Sequence, residues 1–148
     1  MPITDTIKKN FSRSFNLYQE IVNSLEEEQL STKLPNLPSN TIGQQIWCVV
    51  GARESYSKAI QANEWSGFKC SLSSEQVSIK AEVLAALSRS EKSIMGVLSF
   101  IEQYSDKQNQ FIVDLLEHEA AHHGQLIRYL YGARLDIPPS WKSKYALD

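Results

Sequence analysis

All three histidines of this chain fall within six residues, in the run His118-Glu119-Ala120-Ala121-His122-His123-Gly124-Gln125. If the run is helical, positions four apart share one face, a turn from each other. His118 and His122 then direct two imidazoles toward one point, a spacing that suits joint ligation of a metal ion. His123 points about 100° away round the helix. The same residues spell H-E-x-x-H, the zinc peptidase helix in which the glutamate is a general base. The rest of that pattern is missing. Six residues after His122 stands Arg128 rather than a third histidine, and Asp136 is the only acid left before the terminal residue. Glu119 is therefore expected to contact a neighbouring helix or to support the site from behind. The plain alternative keeps His118 and His122 as hydrogen-bonded core residues on the stripe Phe111, Leu115, His118, His122, Gln125 and Tyr129.

Four amphipathic segments are available to position these side chains. In the first, Ile7, Phe11, Phe15, Tyr18, Val22 and Leu25 recur at steps of three or four, the mark of one helix face. Pro35 and Pro38 stop it from continuing through residues 31–39. The second begins near Thr41, where Thr41 and Gln44 have capping-box spacing, and buries Ile42, Ile46, Val49, Val50, Tyr56 and Ile60. Gly43, Gly51, Ala52 and Ser55 widen that face. A helical glycine costs about 1 kcal/mol relative to alanine, so Gly43 and Gly51 imply a close approach or room for a ligand. The third segment carries Val77, Leu84, Leu87, Ile94, Leu98 and Ile101, with Ser73 and Gln76 as a second capping pair. The fourth carries Phe111, Leu115, Leu116, Leu126, Ile127 and Leu130, and Gly132 is placed to end it in a left-handed conformation. The tail 135–148, with Pro138-Pro139, is expected to be irregular and to pack over one end through Trp141.

Nothing alternates with period two, so the expected fold is all-α, a four-helix bundle forming a single domain over residues 1–148. A connection of about ten residues over 64–73 spans roughly 33 Å when extended. That length either carries the chain back along the bundle, making the second and third helices parallel, or forms a loose turn.

The 15 basic and 17 acidic residues are spread along the chain, for a formal net charge of -2. Phosphate-backbone recognition needs a clustered basic excess, so no nucleic-acid partner is expected. No stretch approaches the roughly 18 apolar residues of a membrane span, and residues 1–10 lack the apolar core of a secretory signal. Cys48 lies in an apolar helix pattern and Cys70 in a polar loop; they do not read as a disulfide framework, and a cytoplasmic setting is the simpler one. Arg53 and Arg128 read as salt-bridge partners, with Glu54 and Glu117 as nearby acids, rather than as an anion site. Glu26-Glu27-Glu28 reads as a solvated helix end, and Trp47, Trp65 and Trp141 as packing residues.

Two segments carry a family resemblance. Residues 117–128, E-H-E-A-A-H-H-G-Q-L-I-R, followed by Tyr129-Leu130-Tyr131 and Ile137-Pro138-Pro139-Ser140-Trp141, resemble the last helix and tail of DinB/YfiT-like proteins. Residues 41–48, T-I-G-Q-Q-I-W-C, continuing through Gly51-Ala52-Arg53-Glu54-Ser55-Tyr56, resemble their second helix. The likeness extends over the whole chain in length and helix count, but its specific motifs lie in these two segments. It implies an up-down-down-up bundle, a homodimer, and a divalent metal such as zinc or nickel held by three histidines. His118 and His122 match two of those positions. At the third, on the second helix, this chain has Cys48.

That residue has three readings. It is a thiolate ligand completing a Cys48, His118, His122 site with an open position, a small buried apolar residue in a vestigial site, or a reactive thiol beside the histidines. The resemblance further implies a metal-dependent activity on a small-molecule substrate. That is either a thiol-dependent S-transferase using a low-molecular-weight thiol or a hydrolase activating water. The rival is a non-catalytic dimeric bundle that binds a partner or small ligand.

Overall fold

The periodic faces become five α-helices in the computed structural model, which describes residues 2–148: α1 (Ile3–Ser24), α2 (Ile42–Ala62), α3 (Lys80–Leu98), α4 (Asp106–Gly132) and α5 (Pro139–Tyr145). Short 3-10 turns cover Glu27–Ser31, Gln76–Ser78 and Ile101–Gln103, and no strand occurs among the described residues. The fold is all-helical. No helix among those residues is long and apolar enough to cross a membrane.

Reciprocal caps set two of the helix starts. Thr41 N–H donates to Gln44 Oε1 (2.8 Å) and Gln44 N–H to Thr41 Oγ1 (3.1 Å), opening α2. Ser105 and Gln108 exchange the same pair of bonds at the start of α4. These bonds satisfy amide groups that have no partner inside a helix.

The core has two apolar halves. One gathers Tyr18, Ile21, Ile46, Leu87, Leu126 and Trp141; the other gathers Phe11, Phe15, Ile60, Ile94, Ile112 and Leu115. The Arg53 guanidinium stacks over Phe15 of one half (4.6 Å) and Tyr18 of the other (5.2 Å). Helix α2 packs against both α3 and α4, while α1 packs against α3 and, less extensively, α4.

The connection from α2 to α3 covers residues 63–79, longer than expected, and lies along α2. Ser55 Oγ bonds the Lys69 backbone at both N–H and C=O. Phe68 and Cys70 sit on Gly51, and Trp47 Nε1 donates to the Leu72 carbonyl at 3.0 Å. The Val77 carbonyl lies so near Gly43 that an added Cβ would stand 2.2 Å from its oxygen. The two α2 glycines therefore mark a close approach of backbone and side chain from this connection, not of another helix.

Three expectations are corrected. The Ser73–Gln76 cap forms (2.8 and 3.3 Å), but it caps the turn Gln76–Ser78, and α3 starts only at Lys80. Gly132 remains helical; the left-handed residue is Arg134 (φ 56°). Arg134 N–H bonds the Tyr131 carbonyl (3.2 Å) and Leu135 N–H the Leu130 carbonyl (2.8 Å), a complete Schellman ending with arginine where glycine is usual. Gly132 is instead small because Pro35 packs on it, 3.2 Å from where a Cβ would stand. The tail is not irregular throughout: Pro139 is well suited to the first helical turn, and α5 follows. Trp141 does anchor it, fully buried, with its Nε1–H donating to the Leu17 carbonyl at 2.8 Å.

Candidate metal centre

Helices α2 and α4 bring Cys48, His118 and His122 together. One donor atom from each lies within 4.8 Å of the other two. Cys48 Sγ is 3.6 Å from His118 Nε2, and the two imidazole centroids are 4.5 Å apart. His122 is buried, whereas Cys48 and His118 are half-exposed, so the cluster has a buried side and an open one.

Sequence reasoning missed what orients His122. Gln45, one turn before Cys48 on α2, has its Oε1 2.5 Å from His122 Nδ1. An amide oxygen only accepts, so Nδ1 carries the proton and Nε2 keeps its lone pair. Asn40 Oδ1 accepts from Gln45 Nε2 (2.9 Å) and from Tyr129 O–H (2.5 Å), which fixes the Gln45 amide in turn. The signal was present as the three-residue spacing of Gln45 and Cys48 on one helix.

The donor set suits a borderline-soft divalent ion. Tetrahedral zinc with bonds of about 2.3 Å to sulfur and about 2.05 Å to nitrogen places those donors roughly 3.6 Å apart. The Cys48–His118 separation meets that value, and the third donor lies within 4.8 Å of both. His118 Nδ1, on the far side of the ring from the Nε2 that faces Cys48, is buried without a hydrogen-bond partner among the described residues. The residues present fit a metal.

The charge states agree with this. Burial, and then the neighbouring His118, push the His122 imidazole down to about 4. Burial also lowers His118, against the opposing pull of Glu119. Both rings are thus neutral at pH 7, as ligation requires. Burial raises the Cys48 thiol, so metal binding there must displace a proton.

The other face of the same run is structural. Glu119 is fully buried and takes a bidentate pair from Arg53, Nε to Oε1 at 2.6 Å and Nη2 to Oε2 at 3.0 Å. Arg53 therefore pairs with Glu119, not with Glu54, which accepts from Ser71 instead. Ser14 O–H donates to Glu119 Oε2 at 2.5 Å, leaving Ser14 Oγ to accept from His123 Nε2–H at 2.9 Å. Neutral His123 then accepts the Tyr145 O–H at Nδ1 (2.6 Å). Burial pushes His123 down to about 4 despite the pull of Glu119. Burial alone would raise Glu119, but the charge and hydrogen bonds of Arg53 hold it below the usual carboxylate range. A fully buried carboxylate paired with a guanidinium and turned toward Ser14 is not placed to activate a water at the histidine pair, which counts against the peptidase reading of H-E-x-x-H.

Arg128 stacks over Tyr131 at 5.4 Å. Cys70 is not part of the cluster; its Sγ donates to the Trp47 carbonyl, and burial raises it to about 11. Both cysteines are free thiols. No protein-family model matches the chain, and a search of curated proteins finds no match.

Proposed function

We propose that this protein is a DinB/YfiT-like four-helix bundle whose Cys48, His118 and His122 hold a divalent metal, zinc or nickel. In this reading it is a metal-dependent enzyme acting on a small molecule. It is either a thiol-dependent S-transferase that uses a low-molecular-weight thiol or a hydrolase. The observation that carries the reading is the convergence of three donor atoms within 4.8 Å, with His122 already oriented by Gln45.

An up-down-down-up arrangement is supported by where hydrogen bonds cross the helices. Gln108 reaches Ile60 and Tyr129 reaches Asn40, so α4 runs against α2. Arg53 reaches Ser90, while Val77 lies at Gly43, as expected if α2 and α3 run together.

When bound, such a metal supplies Lewis acidity, lowering the pKa of a thiol or water so that it attacks at neutral pH. The chain's own contribution is positional. Gln45 holds the His122 tautomer, Arg53 and Glu119 brace α2 against α4 beneath the ligands, and half-exposed Cys48 and His118 leave a way in.

The second reading, a non-catalytic homodimer with a vestigial site, draws on one observation: Cys48 is a free, partly buried thiol, as a small packing residue would be. Metal content of chain purified without a histidine tag or chelator separates the two. About one zinc or nickel per chain, lost in both Cys48→Ala and His122→Ala, together with thiol transfer to a model electrophile, supports the enzyme. Absence of metal after incubation with either ion, in a folded protein, refutes it.

A further inference from the structure

Helices α1 and α5, neither of which supplies a residue to the metal cluster, enclose a groove of about 810 Å³. Its walls carry the cations of Lys8, Arg13 and Lys144 and the hydroxyls of Ser12, Ser140 and Ser143. No carboxylate is among the described residues that line it, although the chain as a whole carries a net charge of -2. The positive charge is therefore a local concentration.

Among the described residues neither Arg13 nor Lys144 has a carboxylate within 4.0 Å. Arg13 donates to the neutral Asn10 side chain (3.1 Å), and the Lys144 ammonium sits 5.1 Å from the centroid of the Tyr145 ring. Glu20, further along α1, is engaged by the Ser140 backbone N–H at 3.1 Å. Burial and then the charge of Arg13 lower Lys144. Arg13 and Lys144 line the same groove, where an anion would relieve the repulsion between them.

We propose that this groove binds a small soluble molecule through a phosphate or diphosphate group, held by Lys8, Arg13 and Lys144. Three cations spread over two helices match a multiply charged group with several acceptor oxygens, and serine hydroxyls supply further donors. A single carboxylate would leave most of that charge unmatched. The volume lies within the roughly 300–1,000 Å³ of small-molecule sites. A lipid surface is disfavoured because none of the exposed large apolar residues lines the groove. The local cation cluster on a chain of net charge -2 also falls short of the extended basic excess that a nucleic-acid backbone takes.

The phosphate group belongs in the outer groove. A smaller cavity of about 140 Å³ continues inward past Arg13 and Lys144 to Ser14, His123 and Glu119. The Glu119 carboxylate on its wall would repel an anion, and the Ser14, His123 and Tyr145 hydrogen bonds are already made.

The test titrates inorganic pyrophosphate into the full chain at fixed ionic strength, followed by calorimetry and backbone amide NMR. Saturable binding is expected, with shifts confined to residues 8–17 and 140–145. The Arg13→Gln/Lys144→Gln variant should weaken it at least about tenfold while keeping its melting temperature and circular dichroism. Three results overturn the proposal: no saturable binding, equal binding by the variant, or binding to phosphatidic acid vesicles without binding of pyrophosphate. Because the readout requires no metal, its failure leaves the reading of the Cys48 site untouched.

Discussion

Replacing Glu119 by leucine isolates what the buried ion pair does. The change keeps a helix-forming side chain of similar bulk but removes the only carboxylate in direct contact with a fully buried guanidinium. Arg53 would keep its bond to Ser90 (3.1 Å) and its distant approach to Glu91 (4.0 Å), neither of which compensates a charge out of water. Ser14 would also lose the acceptor of its only hydrogen. Breaking a buried pair from one side costs about 3–5 kcal/mol. In a chain of this size each kcal/mol lowers the melting temperature by roughly 2–4 °C, so a fall of about 6–20 °C is expected. Thermal unfolding followed by circular dichroism measures the fall, and denaturant unfolding the free energy.

The double variant Arg53→Met/Glu119→Leu should recover most of the loss, because it removes the stranded charge along with its partner. A single variant less than about 1 kcal/mol below wild type would refute the argument. So would a double variant as unstable as the two single losses added together.

Three further outcomes follow from the same geometry. Gln45→Ala should leave the fold intact and lower zinc affinity about 10–100-fold, read by competition with a chromogenic chelator; unchanged affinity would mean Gln45 does not orient His122. Arg134→Gly should be neutral or stabilising by up to about 1 kcal/mol, since φ 56° suits glycine and the side chain is exposed; a clear loss in chemical denaturation would show that the arginine makes a contact of its own. Gly43→Ala should destabilise by about 1–3 kcal/mol despite alanine's better helix propensity, because its Cβ meets the Val77 carbonyl; thermal melting that rises instead would mean the connection yields freely.

The four long helices were legible in the sequence because their signals are local, whereas α5 was not. The cap at Thr41 and apolar steps of three and four need no knowledge of the partner. The ends were harder. Gly132 has the right type for a left-handed cap, but its small size serves Pro35, which arrives from nearly a hundred residues upstream, and the Schellman turn uses Arg134 instead. The extra length of the second connection was invisible for a similar reason. Residues 63–79 show little periodicity because they lie against α2 through single contacts at Gly43, Trp47, Gly51 and Ser55. At the site, residue spacing placed His118 and His122 on one face, and the family likeness pointed to Cys48. The partner of Arg53 was beyond both, because it depends on how α2 and α4 are rotated against each other.

The run at residues 118–123 contains two pairs spaced by four, not one. His118 and His122 face α2 and Cys48; Glu119 and His123, each one position later, face α1 through Ser14. A rotation of about 100° per residue is enough to turn the second pair away from the first. This explains how a perfect H-E-x-x-H run arises without a peptidase. The glutamate that such chemistry would need as a base belongs to the other pair, where Arg53 and Ser14 take its oxygens. It also gives the ligand pair a rigid backing. Arg53 comes from the helix that carries Cys48, and Glu119 lies between the two histidines, so their ion pair fixes the spacing of α2 and α4 beneath the three donors. Loosening that pair should therefore disturb the metal cluster even though neither residue has a side chain in it.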